Sequence, residues 1–155
     1  MTAPLIQKIW TDKVHAVADH KKWTGGYPGG MEADRRDRLA HTGDTGLEAV
    51  AIRLRAARDL AGAQQAEIAT EIGTKKGTIS NAENGLNYPS VALMRYYYRM
   101  HRLDFNFLMN GDWAQLPASM QERLFAALEA ANDGWDRTPR SSQRRASRAA
   151  AQPAT

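Results

Sequence analysis

From Leu47 to Gly111 the chain is cut into short apolar segments by Gly62, Gly73, Gly85 and Gly111, and this punctuation restricts the fold more than any other feature. Glycine adopts positive φ at no steric cost, so it closes a helix where other residues resist. Between the glycines, apolar residues recur at helical spacing rather than alternating. Val50, Leu54, Ala57 and Ala61 share one face of a first helix, ended at Gly62. Gln65, Ile68, Ala69 and Ile72 start and fill a second, closed at Gly73. Thr74 is placed to N-cap a third, with Ile79 and Ala82 turned inward and Asn84-Gly85 at its end. Pro89-Ser90 opens a fourth helix carrying Val91, Leu93, Met94, Tyr97 and Tyr98. Asp104 opens a short fifth with Phe105, Leu108 and Met109, halted at Asn110-Gly111. No strand-like alternation or internal repeat appears, so the expected class is all-α.

The flanks read differently. Leu5, Ile6, Ile9, Trp10, Val14 and Val17 predict a short helix over 4–22. The glycine-rich run from Thr24 to Gly30 breaks it, and polar sequence through His41–Gly46 reads as a linker. Residues 1–46 are therefore expected to be an N-terminal extension to a domain at 47–112. Beyond the domain, Ser119 and Glu122 have capping-box spacing ahead of a stripe of Met120, Leu124, Ala127, Leu128 and Ala131. The segment 113–134 is thus expected to be a C-terminal helix and a candidate for dimerisation. After Gly134 the composition turns to Arg, Ser, Ala, Gln and Pro, so 135–155 is expected to be a disordered basic tail.

The net charge of +4 invites a nucleic-acid reading, but its placement qualifies that reading. Residues 47–112 hold eight Lys/Arg against seven Asp/Glu, whereas residues 137–155 hold five Arg and no acid. Such a tail either follows a phosphate backbone as an arm or merely solubilises; the sequence favours neither. Cysteine is absent, which fits a reducing interior. No apolar run approaches the ~20 residues that span a bilayer, and the N-terminus lacks a secretory pattern; a cytoplasmic location without membrane contact is the expectation. His15, His20, His41 and His101 have no ligand-like spacing, and neither a phosphate loop nor a nucleophile elbow is present. No metal, cofactor, catalytic residue or enzymatic activity is expected.

Within this frame, Leu54-Arg55, Arg58, Gly62, Gln65, Ile68-Ala69, Gly73, Thr78-Ile79-Ser80, Glu83-Asn84-Gly85, Pro89-Ser90 and Phe107-Leu108 before Gly111 occur in a fixed order and spacing. In that pattern the segment resembles the phage repressor and Cro-like helix-turn-helix family, of the xenobiotic-response-element type. The resemblance implies a five-helix repressor-like domain, with the extra C-terminal helix and flexible N- and C-terminal tails around it. It also implies that the third helix enters the major groove of double-stranded DNA while the second braces it.

By that resemblance, Lys76, Gly77, Ser80 and Asn81 are the candidate base contacts. Lys76 suits guanine O6/N7 and Asn81 suits adenine N6/N7. Gln65, Lys75, Thr78 and Asn84 are the candidate phosphate contacts, which fix register without reading sequence. Arg58 and Glu83 match the family's internal salt bridge. The implied function is a sequence-specific transcriptional regulator, a dimeric repressor on paired half-sites, with Phe105, Phe107, Trp113 and the C-terminal helix as candidate homodimer contacts. Two alternatives stand beside it. One is an antitoxin-type autoregulator whose residues 1–46 or C-terminal region hold a protein partner. The other is a protein-interaction module that kept the fold without specific DNA binding.

Overall fold

The computed structural model describes residues 31–151; the helix expected over 4–22 lies outside them. Eight helices and no strand occur among the described residues: α1 (Ala33–Ala40), α2 (Leu47–Ala61), α3 (Gln65–Ile72), α4 (Lys76–Glu83), α5 (Val91–His101), α6 (Phe105–Asn110), α7 (Ala118–Asp136) and α8 (Pro139–Ala150). The domain is all-α, as its glycine punctuation predicts. None of these helices is long and apolar enough to cross a membrane.

The organising element is α2. The sequence pattern marks one apolar stripe, but Ala49, Val50, Ala51, Ile52, Arg53, Leu54, Ala56 and Ala57 are all buried. A helix with this many buried residues belongs at the centre of a fold, and its alanines let neighbouring helices approach closely. The largest helix pair is α2 with α7, and α4 and α6 also pack on α2. Local capping explains several boundaries. Ser90 accepts the Leu93 amide at 3.2 Å to open α5, and Asp104 accepts the Phe107 amide at 2.8 Å to open α6.

Four expectations need correction. The His41–Gly46 stretch is not a free linker, because α1 precedes it and both are tied to α2 by Arg53. That side chain is fully buried, and its guanidinium donates to five carbonyl oxygens: Leu108 at 3.0 Å, Ala40 at 2.8 Å, His41 at 3.1 Å, Asp44 at 2.7 Å and Met109 at 2.8 Å. Four of these carbonyls lie at or just beyond the C-terminal ends of α1 and α6, where the helix dipole favours a cation, and the fifth, Asp44, lies in the loop before α2. Burial lowers the Arg53 pKa to about 10, against the opposing pull of Asp44 and Asp112. Gly111 makes room for this centre. At φ +77, a Cβ there would fall 2.5 Å from the Ala40 oxygen and 2.9 Å from Arg53 Nη1.

Second, the capping box at Ser119 and Glu122 does not form, since α7 begins at Ala118 after Pro117 and both residues lie inside the helix. Gln121 instead donates to the Leu116 carbonyl at 2.9 Å. Third, the stripe assigned to dimerisation is occupied within the chain. Leu124, Phe125, Leu128 and Ala131 are buried, α7 packs on α1 and α2, and Trp113 stacks edge-on against Phe125 at 5.4 Å. The helix also runs past Gly134, because the buried Trp135 anchors its last turn. Fourth, the tail contains the helix α8 where composition predicts disorder. Alanine, arginine and glutamine are strong helix formers, and Pro139 occupies the first helical position, where its missing amide costs nothing.

Candidate nucleic-acid interface

The pair α3 and α4 is joined by Gly73, Thr74 and Lys75 alone. Gly73 takes φ +70, and the Thr74 amide returns to the Ala69 carbonyl at 2.9 Å, closing α3 before the chain reverses. Glu67 accepts the Gln64 amide at 2.8 Å and steadies the start of α3. The N-cap of α4 is Lys75 rather than the expected Thr74, and no side chain caps it. Ile68, Ala69, Ile79 and Ala82 are buried, and α3 packs on α4 while α4 packs on α2.

The opposite side of α4 is open. Lys76, Gly77 and Asn81 are exposed and Ser80 is half-buried, so the four candidate base contacts share the outer side of α4. Lys75, Thr78 and Asn84 are also exposed, at the two ends and along the flank of the same helix. A Cβ added at Gly77 would meet nothing within 4 Å.

Gln65 is placed differently. Its amide nitrogen donates to Glu83 Oε2 at 2.7 Å, so it is the third member of an ion pair. In that pair, Arg58 Nε donates to Glu83 Oε1 at 2.8 Å and to Oε2 at 3.1 Å. Glu83 is only 3% exposed. Burial alone would lower the Arg58 pKa, but the Glu83 hydrogen bond and charge outweigh it and the net shift is upward. The cluster binds α2, α3 and α4 at a single carboxylate. Tyr97 lies against it, fully buried, its hydroxyl pKa pushed up by burial and then by Glu83.

Sequence reasoning gave Arg55 and Trp135 no role. Arg55 Nε donates to the Glu83 carbonyl at 2.8 Å and Arg55 Nη2 to Asn84 Oδ1 at 2.9 Å. Its guanidinium lies 4.8 Å from the centre of the Trp135 ring. The Trp135 indole in turn donates to Glu48 Oε1 at 2.9 Å. Neither partner was discoverable from spacing, since 29 and 87 residues separate the bonded pairs.

Comparison with known proteins agrees with this geometry. Residues 54–95 match a helix-turn-helix family model, a span covering the C-terminal half of α2, all of α3 and α4, and the start of α5. No curated protein and no solved structure matches the chain. A helix-turn-helix domain of this type supports a DNA-binding regulator in general. The exposed α4, the glycine turn and the Arg58–Glu83 bridge stand on the residues that carry the match, and the match at residues 54–95 supports the phage repressor and Cro-like helix-turn-helix resemblance of this segment.

Proposed function

We propose that the chain is a sequence-specific transcriptional repressor that binds DNA as a homodimer. The observation that carries this reading is the open side of α4, where Lys76 and Asn81 are exposed and Ser80 half-buried beside the exposed Lys75 and Thr78. With α4 in the major groove, Lys76 donates to guanine O6/N7 and Asn81 pairs with adenine N6/N7. Ser80 takes either base, and the bare Gly77 backbone lets the duplex approach closely. Lys75, Thr78 and Asn84 hold phosphates and fix the register.

Dimerisation falls to α5 and α6 rather than to α7, whose apolar side is occupied. Val91, Tyr98, Met100 and Phe105 are exposed apolar residues there. A twofold dimer through this surface sets two reading helices about one DNA turn, ~34 Å, apart and implies a near-palindromic site.

A protein-interaction module is the second reading, favoured by Leu86 and Tyr88, which are 49% and 53% exposed in the loop after α4. A salt titration of DNA binding by the full chain separates the two. The repressor reading expects affinity to fall steeply as salt rises, with a slope that lessens by roughly one when Lys75 is replaced by Gln. Absence of DNA binding even at low salt contradicts it and favours the module.

A further inference from the structure

The C-terminal end of α7 lies outside the matched segment, yet its contact with the end of α4 bears on the same interface. Trp135 is 6% exposed. One edge of its indole lies so close to the turn after α4 that a Cβ on Gly85 would fall 3.1 Å from it. Its face supports the Arg55 guanidinium at 4.8 Å, a separation at which the ring quadrupole attracts the cation. Arg55 is thereby held between the indole and the last turn of α4, with one donor on the Glu83 carbonyl and one on Asn84 Oδ1.

The chemistry of that last bond fixes an orientation. Arginine only donates, so the Asn84 amide must turn its oxygen toward Arg55 and its nitrogen away. The nitrogen carries two hydrogens. One points to Ser80 Oγ across a long 3.3 Å contact, and Asn84 is exposed, so the second remains for a partner outside the protein. Without Arg55 the amide is free to flip, and half of its orientations offer an acceptor, which a phosphate repels.

We propose that Trp135 and Arg55 form a positioning device for Asn84, fixing its amide as a hydrogen-bond donor to a DNA backbone phosphate. The proposal rests on the DNA-binding reading above and makes α7 part of the DNA-binding apparatus. Trp135 and Arg55 are positioning residues, acting through Asn84.

The test is a double-mutant cycle on a duplex selected by the wild-type full chain, read by fluorescence anisotropy. Asn84→Ala is expected to weaken binding about tenfold, the lower end for a hydrogen bond to a charged group. Trp135→Leu is expected to weaken it by a similar factor, and the double variant by no more than about twofold beyond Asn84→Ala alone. Trp135→Phe, which keeps an aromatic face, should restore affinity to within about threefold of wild type. Thermal unfolding establishes that each variant is folded at the assay temperature, a property a merely structural role would alter without coupling to Asn84. If Trp135→Leu does not fold, Arg55→Lys replaces it in the cycle, because an ammonium keeps the charge but lacks the fork that spans Glu83 and Asn84. Losses that multiply, or a Trp135→Leu protein with unchanged affinity, overturn this inference alone. A wild-type chain that selects no duplex overturns the DNA-binding reading, and this inference with it.

Discussion

Eight of the fifteen residues of α2 are buried, but only Ile79, Ala82 and Glu83 of the eight in α4. The two helices touch, yet they hold their places by different physics. Apolar packing supplies most of what fixes α2, with the fully bonded Arg53 as its one buried cation. Two buried apolar residues and one buried carboxylate anchor α4, and most of its remaining surface is exposed. A helix so lightly anchored takes its orientation from polar bonds, which are directional, rather than from apolar area, which is not. This separates what keeps the protein folded from what aims the reading surface, and substitutions can break the separation or sharpen it.

The largest effect is expected at Arg53. Arg53→Met fills the space with an apolar chain but leaves five carbonyl oxygens without their donor, and is expected to cost about 3–5 kcal/mol. Arg53→Lys should fare little better, because one ammonium cannot reach carbonyls on three segments. Urea unfolding measures both, and a loss under about 1 kcal/mol for either would mean that the frame is not centred on this side chain.

Arg58→Met comes next. It leaves Glu83 buried without its cation, and a loss of about 3 kcal/mol is expected. Glu83→Gln should cost less, because it removes the charge together with the need to compensate it. Unfolding of the two variants side by side tests whether an ion pair or mere hydrogen bonding sets α4, and equal losses would favour the latter.

Gly77→Ala works in the opposite direction. The site is open and its φ is not positive, so the substitution should stabilise α4 by roughly 0.5–1 kcal/mol. DNA affinity should nevertheless fall, because the added methyl stands where the duplex approaches. A variant that is more stable and binds as well as wild type would remove Gly77 from the interface.

The smallest effect concerns acid. Burial lowers the His101 pKa, against the opposing charge of Glu71 and with a smaller contribution from Arg123. The unfolded chain therefore binds the proton more readily, so this contribution is present above the unfolded value of 6.5 and is lost as pH falls through the folded one. His101→Gln should flatten the fall in Tm between about pH 7.5 and 5.5 slightly. An unchanged profile would remove His101 from the account.

Legibility in the sequence follows the same division. The helices from Leu47 to Gly111 were readable because their signals are local: a glycine after the last turn, a Ser or Asp before the first, apolar residues at helical spacing. The outward residues of α4 followed from the family resemblance, which assigns that helix to the reading position. Long-range polar contacts were not readable. The α1 sequence Ala-Asp-Arg-Arg-Asp-Arg-Leu-Ala looks like solvated linker, and what seats it lies some ninety residues away. Arg35 pairs with Glu129, Arg36 lies 5.2 Å from the ring centres of Trp113 and Phe125, and His41 Nε2 meets Asn132 Oδ1 at 2.7 Å. Arg53 left no mark either, since an arginine within an apolar run ordinarily extends its head to water. The bond from the Gln65 amide to Glu83 was not readable for a related reason, because position on α3 does not reveal where that side chain turns.

The proposed repression depends most on α4 meeting DNA through its outward side chains, and binding-site selection with the full chain tests this most directly, carried out in parallel for wild type and Asn81→Ala. The expected result is one near-palindromic sequence for the wild type, and for the variant the same sequence with preference relaxed at one position per half-site, at a cost of about 1–3 kcal/mol. A wild-type pool with no preferred sequence, or an Asn81→Ala pool identical to it in every position and in affinity, would contradict the assignment of that surface to reading DNA.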